Sequence, residues 1–79
     1  MKTTWENLES AANLANKGSG FTLMNQDEQS ITLPISVFLT LWHIVIATAA
    51  AGELMTEDVP RAYRKQAEAR REIAALKAR

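Results

Sequence analysis

The sequence predicts an α+β fold, one small domain over residues 1–79 made of an N-terminal helix, a β-hairpin, a long apolar central helix and a basic C-terminal helix. Three observations lead there. Apolar residues recur at helical spacing near both ends, they alternate with polar ones between Phe21 and Leu33, and no formal charge occurs between Glu28 and Glu53. A chain this short buries a modest share of its surface, so a single thin core must stabilise it.

Thr3-Thr4-Trp5-Glu6 reads as a helix start. A Thr hydroxyl there accepts from the third helical N–H, while Glu6 reaches back to the Thr3 amide. Trp5, Leu8, Ala12 and Ala15 then share one face, and Gly18 and Gly20 supply the open backbone that ends the helix, placed at 4–17. In FTLMNQDEQSITL, Phe21 and Leu23 point one way with Thr22 and Met24 opposed, and Ile31 and Leu33 alternate with Ser30 and Thr32, which predicts a hairpin over 20–33. The connection Asn25-Gln26-Asp27-Glu28-Gln29 lacks the Asn-Gly pair of a two-residue turn, so a loop of about three to five residues is expected.

Pro34 suits a first helical turn, and the apolar run continues from it as one helix over 34–54, roughly 30 Å long. Phe38, Leu41, Trp42 and Val45 form its apolar side and are the candidate core or self-association residues. Opposite them runs a narrow stripe of Ser36, Thr40, His43, Ala47, Ala50 or Ala51, and Leu54. A helix apolar over most of its circumference is expected to be buried nearly all round, which predicts pairing of the central or the final helix with a second copy. Asp58 is placed to cap the last helix, with Pro60 in the first turn, over 58–78. Its seam is thin: Val59, Ala62 or Tyr63, Gln66, Ala69, Ile73 and Leu76, with Arg64 and Glu68 spaced for an i,i+4 contact.

By length alone the central run also satisfies a membrane span of about twenty residues. Two features favour a protein core. Trp42 and His43 fall near its middle, where an imidazole is costly in lipid. In addition, a lone two-stranded hairpin is unstable in water, so Trp5, Leu8, Phe21, Leu23, Ile31 and Leu33 need this segment as their partner.

The chain has no Cys, which excludes disulfides and thiolate chemistry. Its first residues are polar and acidic where a secretory signal needs an apolar run, so a cytoplasmic location is expected. The net charge of zero hides a division: Lys2 and Lys17 oppose seven acids up to Pro60, whereas seven cations from Arg61 onward oppose Glu68 and Glu72. Each half therefore differs from neutrality by five charges, of opposite sign.

Chemistry is sparse. His43 is the only His, and without Cys it is expected as a packed core or subunit-contact residue rather than a metal ligand. Asp27-Glu28 and Glu57-Asp58 fall in a turn and at a helix start, where carboxylates are ordinary. Serines 10, 19, 30 and 36 lack a nucleophile elbow, and Gly18-Ser19-Gly20 is too short to cradle a phosphate. No catalytic, cofactor or metal residue is expected. The basic helix carries the candidate partner-binding residues Arg61, Tyr63, Arg64, Lys65, Arg70 and Arg71, whose chemistry suits an acidic protein surface more than nucleic acid, since no groove-reading motif accompanies them.

At FTLMNQDEQSITLPISVF the sequence resembles small accessory proteins of tailed bacteriophages, in which a polar hairpin runs straight into an apolar helix. The preceding LESAANLANKG completes a helix–hairpin–helix order similar to that of small head–tail joining proteins, over roughly residues 8–52. The resemblance is topological and assigns no functional residue; the basic final helix departs from it. It implies a non-enzymatic, phage-encoded interaction module, either a virion-assembly factor or an inhibitor of a host protein of the anti-CRISPR type. A single-span lysis or regulatory protein and a nucleic-acid binder are the alternatives.

Overall fold

In the computed structural model, which describes residues 4–15 and 20–78, the order is α1 (Thr4–Leu14), β1 (Phe21–Met24), β2 (Ser30–Leu33), α2 (Ile35–Thr40), α3 (Trp42–Ala50) and α4 (Asp58–Lys77). The α+β class is as the sequence predicts. α1 buries Trp5, Leu8 and Ala12, the periodic face, and packs on β2 and α3. The Thr3 capping box and the helix end beyond Ala15 lie outside the described residues. What holds the start of α1 is distant in sequence: the Trp5 N–H donates to a carboxylate oxygen of Glu53 at 3.0 Å.

The strands pair antiparallel with Phe21 opposite Leu33 and Leu23 opposite Ile31, and all four side chains are buried. On the other face the Thr22 and Thr32 hydroxyls meet at 3.0 Å. The turn is a three-residue loop. Asn25 N–H donates to the Gln29 carbonyl, Glu28 N–H returns to the Asn25 carbonyl, and Glu28 takes a left-handed φ of 61°. Gly20 precedes the hairpin because a Cβ there would lie 2.1 Å from the Leu33 carbonyl oxygen.

The single helix expected over 34–54 is instead two. Pro34 is the N-cap of α2, its carbonyl accepting from Phe38 N–H at 2.8 Å, and the run breaks at Leu41, whose φ/ψ of −95°/8° leaves the helical region. The Leu41 carbonyl then accepts from both Ile44 and Val45. The Thr40 hydroxyl, on the residue just before the break, donates to the Ser36 carbonyl at 3.0 Å, as the Thr48 hydroxyl does to the Ile44 carbonyl within α3 at 2.8 Å. α3 ends in a Schellman turn: Gly52 N–H reaches Ala49, Glu53 N–H reaches Thr48, and Gly52 has φ 80°. Leu54, expected at the helix end, leaves it and bridges to Asn25. No helix of the described residues is long and apolar enough to cross a membrane.

Within the single chain, burial is confined to one side of α2 and α3. Ser36, Thr40, His43, Ala47 and Ala50 form an exposed face, and His43 is therefore not a core residue. Phe38 and Val45 are buried as expected, whereas Leu41 and Trp42 are half-buried against the core. α4 packs on α2, α3 and β1, burying Ala62 and Ala69. Its N-cap is Glu57 without a side-chain cap bond; Asp58, expected in that role, is the first helical residue and pairs with Arg61 at 3.9 Å.

Candidate interaction surface

Twenty residues of α4 make a helix of about 30 Å, in a molecule whose longest dimension is 40 Å. Only Asp58, Ala62 and Ala69 of it are buried. At 3.6 residues per turn, Tyr63, Arg64, Ala67, Arg70, Arg71, Ala74 and Lys77 share one half of the helix, all exposed. Arg61, Lys65, Glu68 and Glu72 occupy another sector, with Asp58 at its head. Every acid of α4 is on that second side, so the first half is purely cationic.

The six candidate residues thus separate into two groups. Arg61 is drawn to Asp58, and Lys65 pairs with Glu68 at 3.4 Å, in place of the expected Arg64–Glu68 contact. These cations are partly neutralised by their own chain. Arg64, Arg70 and Arg71 have no carboxylate within ion-pair distance among the described residues. Tyr63 is 54% exposed and is fixed from below, its ring 5.0 Å from that of Trp42 at 75°. The contact continues inward, Trp42 edge-on to Phe38 at 5.4 Å and Phe38 to Phe21 at 4.0 Å. This aromatic file runs from the hairpin to the surface. It adds a contact to the buried Ala62 and Ala69, which set the face that α4 turns to the body.

The negative charges gather elsewhere. Glu6, Glu9, Asp27 and Glu53 line an open hollow of about 450 Å³ with Trp5, Asn25, Gln26, Gln29 and Gly52. Gln26 Nε2 donates to the Gly52 carbonyl across its floor. Asn25 supports the rim: its Oδ1 accepts from the N–H groups of Asp27 and Gln29, both at 3.0 Å, and its Nδ2 donates to Gln29. Among the described residues no three His, Asp or Glu side chains converge as a metal-ligand group. A smaller cleft of about 140 Å³ lies between α4 and the hairpin, floored by Phe21, Phe38 and Ala69 and edged by Lys65, Glu68 and Glu72.

The chain was compared with known protein families, curated proteins and solved structures. It matches none of them. Its functional reading therefore rests on the surface just described.

Sequence reasoning located the basic helix but not its two-sidedness, which could have been found by projecting the charges around the helix axis. The role of Glu53 at the start of α1 had no signal in the sequence, since it joins residues 48 positions apart.

Proposed function

We propose that the protein acts without catalysis, by binding an acidic surface of another protein through the cationic half of α4. The observation that carries this reading is the segregation itself: Tyr63, Arg64, Arg70, Arg71 and Lys77 share an exposed half-helix with no acid on it, on an element whose face toward the body is set by the buried Ala62 and Ala69. A helix meant only to be solvated gains from interspersed signs, through i,i+4 pairs. Here such pairs are confined to one sector and the other exposed half carries cations alone, which favours recognition and steering of a charged partner.

Within this class we assign the chain to phage-encoded modules that work in the host cytoplasm, as a virion-assembly factor or as an inhibitor that occupies a host protein. This part of the proposal rests on the resemblance of the sequence over roughly residues 8–52. The test is capture from host cells with the wild-type chain and with an Arg64→Glu/Arg70→Glu/Arg71→Glu variant, both nuclease-treated. A protein retained by the wild type, weakened about tenfold or more by the reversal and released by salt is the expected result. Retention that disappears with nuclease assigns the surface to nucleic acid instead, and equal capture by the two chains refutes the proposal.

A further inference from the structure

The seam of α4 follows a heptad pattern in which Val59, Gln66 and Ile73 take one core position and Ala62, Ala69 and Leu76 the other. Its first turns are spent inside the subunit, where Ala62 and Ala69 are buried against the core. The last two turns are not: Ile73 is half-buried, and Leu76 is 60% exposed.

We infer that the end of α4 pairs in parallel with the same segment of a second copy, Ile73 and Leu76 of each chain packing across the two-fold axis. The flanking charges select both the occupant and the direction. Glu72 and Lys77 border the seam on opposite sides and are five residues apart, the spacing at which a flanking residue of one helix meets that of a parallel neighbour. Neither forms an ion pair within its own chain among the described residues. A parallel copy therefore gains two reciprocal Glu72–Lys77 pairs, whereas an antiparallel copy sets Glu72 against Glu72 and Lys77 against Lys77. One heptad earlier the same rule brings Lys65 against Arg70, a repulsion that confines pairing to the last two turns and splays the bodies apart. The cationic half is centred away from this seam, so Arg64 and Arg71 remain open in the pair. The inference shares Lys77 with the partner surface proposed above and otherwise does not depend on it.

The natural chain lacks cysteine, so an introduced thiol reports on one contact only. Leu76→Cys is expected to give a disulfide-linked dimer under mild oxidation, and Ala75→Cys, exposed but turned off the seam, at least about tenfold less. In light scattering the wild type is expected to show a concentration-dependent dimer. Lys77→Glu should weaken it about fivefold by losing two exposed pairs, and Glu72→Lys/Lys77→Glu should restore it. An Arg64→Glu/Arg71→Glu variant, defective in partner capture, should pair normally. A wild-type chain monomeric at every concentration, or equal cross-linking at residues 75 and 76, overturns the inference.

Discussion

Glu28 holds a backbone conformation that suits glycine, with φ at 61°, in order to close the three-residue hairpin loop. For an L-residue that conformation costs about 1–2 kcal/mol, against about 0.5–1 kcal/mol for the extra freedom glycine has when unfolded. Glu28→Gly is thus expected to stabilise the fold by about 0.5–1 kcal/mol, read as a rise of several degrees in Tm. In the same loop, Asn25 is buried and makes five hydrogen bonds, through backbone and side chain, with Asp27, Glu28 and Gln29. Asn25→Ala removes the acceptor for two N–H groups, and a loss of about 2–3 kcal/mol in urea titration is expected. Gly20→Ala should cost about 1–3 kcal/mol by the same measurement, since the added methyl meets the Leu33 backbone and not a side chain that can move. The hairpin's inward residues were plain in the alternation of the sequence. The residues that hold its turn were not, because Asn25 and Glu28 act through backbone geometry that carries no hydropathy signal.

Among the elements, the central segment shows most clearly where pattern reading stops. Its apolar spacing located Phe38 and Val45 in the core, and its stripe of small and polar residues marks the face that is exposed. The break at Leu41 was invisible, because it falls inside a continuous apolar run with no Pro or Gly between Pro34 and Gly52. The end at Ala50 had a cue in Gly52, whose positive φ completes the Schellman turn. Trp42 sits at the joint of α2 and α3 and links Phe38 to Tyr63. Trp42→Asp is therefore expected to abolish cooperative folding, seen as loss of near-UV dichroism, while Trp42→Phe keeps it. The distant cap on α1 gives a separate expectation. Glu53→Ala should cost about 1 kcal/mol and speed hydrogen exchange in the first turn of α1 more than in α4.

Across the molecule, one apolar cluster takes residues from α1, the hairpin, α2, α3, Leu54 and α4. Trp5 and Trp42 both contribute to it or pack on it. Unfolding followed by tryptophan fluorescence and by far-UV dichroism should accordingly give one coincident transition; two separated transitions would mean that α4 unfolds by itself. The charge division legible in the sequence became a spatial one, with an acidic hollow beside α1 and the hairpin loop and a cationic half on α4. Its finer partition on α4 required knowing which face Ala62 and Ala69 bury. The segment from Gly52 to Leu54 is brief, yet it binds the hairpin tip through Gln26 and Asn25 and the first turn of α1 through Glu53. These closures reach back between 26 and 48 positions along the chain. Contacts that span so much sequence form late and slow the search for the native state. During synthesis, the start of α1 and the hairpin tip therefore gain these bonds only after residues 52–54 have left the ribosome.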